Sequence, residues 1–178
     1  MTQQIFLDVE TTGLSPQQGD RIVEIGCIEA HDNQPTGQIF HRYCNPERSV
    51  SPTALAVHGL SDAYLQMYPP FAAIAADLIA FVDGAEIIIH NARFDVGFLN
   101  SELQRIKAGV LADHAALITD SLHLARRLYP GHRNDLDALC KRFGILSTSR
   151  TKHSALQDAQ LLAAVYAQLN RQPSNIST

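Results

Sequence analysis

The order of apolar runs along this 178-residue chain constrains its fold more than any other feature. Three short strand-like runs come first, at residues 5–9, 22–28 and 39–43. Turn-forming residues at 32–37 lie between the second and third runs and indicate a hairpin. Helical segments follow, and strands then alternate with helices. This order predicts a single α/β domain with a mixed sheet.

The later segments supply the remaining predicted elements. Residues 86–90 and 115–119 are expected to add two strands. Helices are expected at residues 52–58, after Ser61, and at 70–82, 92–106, 121–128, 135–144 and 154–169. Asn91 and Asn134 are expected to cap two of them. We expect the domain to span residues 1–170, with a flexible polar tail at 171–178.

Composition narrows the class of protein. Hydrophobic residues make up 46% and charged residues 18%, as in an ordinary soluble domain. The net charge of −4 argues against long-range attraction to duplex DNA, but an enzyme that takes a strand end is compatible with it. The three cysteines form no C-x-x-C pair, which favours reduced thiols in a cytoplasmic protein. Because no long apolar segment or signal sequence is evident, we expect no membrane association.

Acidic residues occur inside or beside apolar runs, where carboxylates are normally excluded unless they are paired or bound to metal. Asp8 and Glu10 lie two residues apart on the first strand, so both side chains point to one face. Two such carboxylates repel each other unless a cation lies between them. A strand end that turns polar would explain this pair equally well.

Three further polar residues follow in two separate blocks. Asp95 lies near the start of a helix, where the helix dipole alone could account for it. His153 precedes the last helix and Asp158 lies in its early turns, and a cap and a surface acid are the ordinary alternatives. However, apolar residues crowd Asp158. Four carboxylates that converge can hold two divalent cations, which is the equipment for cutting a phosphodiester bond.

The blocks at residues 7–13, 90–95 and 153–158 have a specific order and spacing. Together with residues 21–26, 57–60, 119–122 and 130–140, they resemble the DnaQ-like exonucleases of the DEDD superfamily, in the DEDDh subfamily with an H-x-x-x-x-D motif. The resemblance covers nearly the whole chain and is greatest to proofreading domains of bacterial DNA polymerase III. It implies a ribonuclease H-like fold with a five-stranded mixed sheet flanked by helices.

The resemblance also implies 3′→5′ removal of nucleoside 5′-monophosphates from single-stranded or frayed DNA. Four acids would hold two Mg²⁺ or Mn²⁺ ions, with Asp8 between them and His153 as the general base. The full metal-binding set is Asp8, Glu10, Asp95 and Asp158. The residues expected to line the pocket of the terminal nucleotide are Thr11, Thr12, Leu14, His58 and Phe94.

The implied partners are DNA 3′ ends and the α and θ-like subunits of DNA polymerase III. Residues 172–176 resemble a clamp-binding peptide only faintly, which gives little support to a clamp contact. The polymerase subunits of the family continue beyond this domain, so a longer protein and a free-standing nuclease are both compatible with the sequence. The alternatives are an exonuclease for RNA or DNA repair, an inactive polymerase-binding module, and a metal-dependent phosphatase.

Overall fold

The computed structural model describes residues 3–145 and 152–171 and contains one five-stranded sheet with the strand order β3-β2-β1-β4-β5. The strands are β1 (Gln3–Thr11), β2 (Ile22–His31), β3 (Gln34–Tyr43), β4 (Glu86–Ile89) and β5 (Leu117–Asp120). The first three strands are antiparallel, whereas β4 and β5 run parallel to β1. The predicted five-stranded mixed sheet is therefore confirmed.

Helices flank both faces of this sheet. They are α1 (Pro52–His58), α2 (Asp62–Leu65), α3 (Phe71–Val82), α4 (Ala92–Arg105), α5 (Ser121–Leu128), α6 (Leu136–Phe143) and α7 (Ala155–Arg171). Helix α7 includes Arg171, one residue beyond the expected domain boundary, and the rest of the expected tail lies outside the described residues. Among the helices of residues 3–145 and 152–171, none is long and apolar enough to cross a membrane.

The side chains of β1 alternate between two hydrophobic layers. Ile5, Leu7 and Val9 pack with α3 and α4 in the larger cluster. Phe6 packs with α7 on the opposite face, where its ring meets Tyr166 edge-on at a centroid distance of 5.7 Å. Burying each large apolar side chain contributes roughly 1.5–3 kcal/mol. Because Asp8 and Glu10 share the face of Phe6, the two layers direct both acids toward α7.

The β2–β3 hairpin is tighter than the sequence analysis predicts. Its turn consists of Asp32 and Asn33, which both have left-handed backbone angles, with φ of 48° and 64°. Two left-handed residues suit the twist of a two-residue hairpin, and Asp and Asn tolerate this conformation. Residues 34–37, which we expected in the turn, therefore belong to β3.

The two predicted asparagine caps are wrong. Asn91 occupies the position before α4, but it has a left-handed φ of 69° and its side chain makes no capping bond. Helix α6 is capped by Asp135, which accepts a hydrogen bond from Ala138 N at 3.0 Å. The buried Asn134 instead donates its amide to backbone oxygens of the preceding loop. Both asparagines shape the chain before a helix, which sequence pattern alone does not distinguish from capping.

All three cysteines are buried reduced thiols, and reduced thiols are what the sequence analysis predicts. Cys27 lies on β2 and Cys44 directly after β3, and both have no exposed surface. Burial raises the pKa of the Cys27 and Cys44 thiols well above its usual range. Their side chains therefore act as small core groups.

Candidate active site

The site lies where β1 and β4 separate. The two strands pair at Gln4, Ile5 and Phe6, and β1 then continues to Thr11. Beyond the paired region, the backbone N–H of Val9 donates a hydrogen bond to Asp95 Oδ1 at 3.0 Å. Ends of parallel strands that diverge are common ligand sites in α/β proteins. Asp95 on α4 is thereby held against β1 between Asp8 and Glu10.

Asp95 is buried, with 3% of its surface exposed. Burial raises its pKa from 3.8 to about 7, and the hydrogen bond from Val9 N only partly offsets this effect. The charge of Asp120 also raises the pKa of Asp95. Because a bound cation favours the ionised carboxylate, this environment suits a metal ligand.

Glu10, His153 and Asp158 converge from β1 and from the start of α7. Each offers one ligand atom, and these atoms all lie within 4.8 Å of one another. Carboxylate oxygens and an imidazole nitrogen are suitable ligands for a divalent cation. Two of the predicted metal ligands and the predicted base therefore lie together.

The ring of His153 has a defined orientation. Its Nδ1 lies 3.0 Å from Asp158 Oδ2. Since a carboxylate oxygen accepts, Nδ1 is the donor in this contact. The side chain is 44% exposed, so water can reach it. This arrangement can accept a proton at Nε2.

Gly26 permits the close approach of α7 to the sheet. It pairs with Asp8 across the β1–β2 ladder. A Cβ atom on Gly26 would lie 2.5 Å from Leu156 Cα and closer still to the backbone of Ala155 and Leu156. The missing side chain thus brings the start of α7, with His153 and Asp158, onto the strand face that bears Asp8.

Glu24 is a buried acid beside this site that the sequence analysis does not single out. It lies opposite Glu10 in the β1–β2 ladder and is 1% exposed. Its Oε1 accepts a hydrogen bond from Ser154 Oγ at 2.9 Å and lies 2.8 Å from His41 Nε2. Glu24 therefore connects β2 and β3 to the residue next to His153. No signal in the sequence shows that these distant side chains meet.

A hydrogen-bonded loop follows Glu10. Thr12 is fully buried, donates its hydroxyl to Asp20 Oδ1 at 2.9 Å, and accepts a bond from Arg21 N at 3.0 Å. Arg21 forms a two-pronged ion pair with the buried Glu102 on α4, at 2.7 and 2.8 Å. These bonds tie the loop to β2 and α4.

A cavity of about 430 Å³ opens beside the acids, within the roughly 300–1,000 Å³ typical of small-molecule sites. Four of the five residues expected to line a nucleotide pocket do line it: Thr11, Leu14, His58 and Phe94. Thr12 does not, because its side chain lies beneath the loop. Leu14 is 82% exposed, so its side chain is available to a ligand.

His58 contributes to the cavity as a neutral ring. Its Nδ1 accepts from Leu60 N at 3.0 Å, so Nε2 carries the proton that is donated to Thr11 O at 3.1 Å. Burial lowers the pKa of His58, and the bond to Thr11 only partly offsets it. Both nitrogens are engaged within the protein. A ligand in the cavity would therefore meet the ring carbons of His58 and not an available nitrogen.

Apart from His58, the part of the cavity wall that α1 and the residue before it supply was not predicted from the sequence. The lining residues from this region are Ser51, Thr53, Ala54 and Val57. Ser51 Oγ also accepts from Ala54 N at 3.1 Å and so caps the helix. The sequence analysis predicts the start of α1 at residue 52 correctly, but the sequence does not indicate which side of so short a helix faces a ligand.

A five-stranded mixed sheet of this order, with acids at the end of its central strand, is typical of enzymes that hydrolyse nucleic acids. The family model RNase_T, described as "Exonuclease", matches residues 5–166. The chain belongs to this exonuclease family. The predicted enzyme class, a 3′→5′ exonuclease, is confirmed. Members of the family depend on divalent metal ions, for which the Glu10–His153–Asp158 group is a candidate site.

Individual relatives agree with this assignment. The chain is 43% identical over 178 residues to the DNA polymerase III subunit epsilon of Haemophilus influenzae, covering 98% of this chain and 70% of that protein. Exonuclease X in complex with 5′ overhanging duplex DNA is similar in structure, with a TM-score of 0.70 and 26% identity over 95% of this chain and 90% of that chain.

A more distant relative supports the fold alone. The nuclease domain of 3′hExo, a DEDDh family member bound to rAMP, has a TM-score of 0.79 and 16% identity. The match covers 95% of this chain and 92% of that one. The predicted ribonuclease H-like fold is thus confirmed.

Proposed function

We propose that the protein removes nucleoside 5′-monophosphates from the 3′ end of single-stranded or frayed DNA and proofreads for DNA polymerase III. The position of Glu10 is the observation that carries this proposal. Glu10 belongs both to the group with His153 and Asp158 and to the wall of the cavity. A terminal nucleoside in the cavity would have its scissile phosphate beside the acids.

Asp8, Glu10, Asp95 and Asp158 are proposed to hold two divalent cations, Mg²⁺ or Mn²⁺. When bound, such cations neutralise the charge of the phosphate and favour ionisation of the attacking water. The donor set fits them chemically, since it consists of carboxylate oxygens supplied by one strand and two helices. Asp8 and Glu10 share a strand face, Asp158 meets Glu10, and Asp95 reaches the strand through Val9.

His153 is proposed to act as the general base. Asp158 holds the proton on Nδ1, so Nε2 can take a proton from the attacking water. The same contact restricts rotation of the ring. Proton transfer by a positioned side chain typically contributes about 10²–10⁴-fold to a rate.

The cavity is proposed to hold the last nucleoside, with Phe94 against the base and Leu14 over it. Aromatic faces stack on any base, so this contact does not depend on sequence. A mispaired terminus separates from its template at lower cost than a matched one, so it enters the cavity more often. The preference of the enzyme for mispaired 3′ ends would then follow from their more frequent fraying.

Assembly with a polymerase is supported by the relatives. The Haemophilus influenzae relative is named as a subunit of DNA polymerase III, and the match extends over nearly all of this chain. The α and θ-like subunits are the proposed partners, in the bacterial cytoplasm. The exonuclease domain is proposed to span residues 1–170, because the family match ends at residue 166.

Digestion of 5′-labelled DNA with a matched or mispaired 3′ end tests this function. We expect ladder-like shortening with Mn²⁺ or Mg²⁺, faster on the mispaired end, and none with EDTA. Glu10→Gln should abolish it. Glu29→Gln is the matched control, since Glu29 is a β2 carboxylate bound to Gln3 and Thr36.

The products decide among the alternatives. Nucleoside monophosphates are expected, whereas release of inorganic phosphate would indicate a phosphatase. Faster turnover of the matching RNA would assign the enzyme to RNA. If no metal-dependent shortening of either polymer occurs while the protein is folded, the proposal is wrong and a binding module is favoured.

A further inference from the structure

The segment that carries His153 is attached to the end of helix α1. Lys152 Nζ donates a hydrogen bond to Ala56 O at 2.7 Å, and His153 N donates to Val57 O at 3.0 Å. Both carbonyls belong to the last turn of α1, where the helix itself supplies no partners. Two residues next to each other in sequence therefore satisfy two adjacent carbonyls.

The side chain of Lys152 fits this position along its length. A Cβ atom placed on Gly59 would lie 3.5–3.6 Å from three methylene carbons of Lys152, so the aliphatic part of the lysine lies across Gly59. Gly59 ends α1 with a left-handed φ of 78°. A cation is also favourable at a helix C-terminus. The contact thus combines packing, a hydrogen bond and charge.

Val57 connects this attachment to the cavity. Its side chain lines the cavity, while its backbone oxygen accepts the bond from His153 N. Lys152 holds the neighbouring carbonyl of Ala56. The wall of the cavity and the backbone of His153 are therefore joined through one peptide segment.

We propose that Lys152 is a positioning residue that holds His153 at a fixed position relative to the cavity wall. A nucleoside in the cavity and His153, the general base, then keep a fixed position relative to each other. The inference rests on the proposed function, because it assigns a role within the same reaction. Lys152 itself touches the helix and not the reacting atoms. Its loss would remove one of the two described hydrogen bonds that join residues 152 and 153 to α1, and the ring would spend less time in its productive orientation.

Three variants separate this role from others. Lys152→Met keeps most of the aliphatic packing and removes the cation, Lys152→Arg keeps the cation, and Lys141→Met removes an exposed lysine on α6. For Lys152→Met we expect the single-turnover rate on single-stranded DNA with Mn²⁺ to fall about tenfold, since small displacements of catalytic groups are costly. The KM should stay unchanged. Lys152→Arg should recover most of the rate, and Lys141→Met should match the wild type.

Hydrogen exchange at the amide of His153 supplies a readout that does not need activity. It should be faster in Lys152→Met than in the wild type, with global unfolding unchanged. Unchanged amide exchange at His153 in Lys152→Met would overturn the proposal. Faster exchange together with a wild-type rate of DNA hydrolysis would overturn it as well. A raised KM with a normal rate at saturation would also do so, because it would place Lys152 on the DNA. An inactive wild type refutes the proposed function separately, and the exchange result still decides whether Lys152 holds His153.

Discussion

Replacing Gly26 by alanine is expected to slow hydrolysis as well as to destabilise the protein. Gly26 lies on β2 opposite Asp8, and the first turn of α7 rests directly on it. An added Cβ would meet backbone atoms of Ala155 and Leu156. Because no side-chain rotation can move backbone atoms away, the helix itself must retreat.

The size of this retreat follows from the contact distances. The new Cβ would lie 2.5 Å from Leu156 Cα, whereas ordinary contacts begin at 3.4 Å, so α7 must move by about 1 Å. Overpacking of this kind typically costs about 1–3 kcal/mol of stability. His153 and Asp158 would move with the helix, while Glu10 stays on the sheet. A displacement of about 1 Å at a catalytic site can cost about 100-fold in rate.

The assay pairs urea unfolding with single-turnover digestion of single-stranded DNA, under conditions where the variant is folded. Gly97→Ala is the control, because its Cβ would meet only Pro16 Cγ, at 4.0 Å. Its stability and rate are expected to remain close to those of the wild type. If Gly26→Ala keeps the wild-type rate, the start of α7 does not set the geometry of the acids, and the reasoning fails.

Three other substitutions test separate parts of the structure. Burial raises the folded-state pKa of Asp95 to about 7, so the metal-free protein should lose about 4 kcal/mol as pH rises from about 4 to 7. Asp95→Asn should flatten this dependence in thermal melts, and a wild type with no such loss would contradict the assignment. Glu102→Ala should destabilise the fold by about 3 kcal/mol in urea unfolding, because it leaves the largely buried Arg21 without its nearest ion-pair partner. Leu14→Ala should leave the free energy of unfolding unchanged, since Leu14 is 82% exposed. It should weaken inhibition by a nucleoside monophosphate about tenfold. Unaltered inhibition would exclude Leu14 from the pocket.

The sheet could be predicted because its signals are local. Apolar runs mark all five strands. Asp8 and Glu10 are two residues apart on one strand, so their side chains point to the same face of the sheet. Turn and cap chemistry was less predictable. Asn91 has the residue type of a cap, but its left-handed backbone serves the sharp turn between β4 and α4.

The polar network around the acids depends on contacts between distant parts of the chain. Ser154 meets Glu24 across 130 residues, and Arg21 meets Glu102 across 81. No local pattern encodes such pairs, because each partner alone resembles a surface residue. Thr12 illustrates the converse, since the family resemblance implies that it lines the nucleotide pocket, while its hydrogen bonds hold its side chain inside the loop.

The buried thiols have a practical consequence for labelling chemistry. Maleimides react with thiolates, and Cys27 and Cys44 combine complete burial with a raised pKa. Cys140 is equally buried. A single cysteine introduced at the exposed Gln157, one residue before Asp158, would therefore carry a fluorophore selectively in the native protein. The binding of a DNA strand near the acids could then be followed by fluorescence without first removing the natural cysteines.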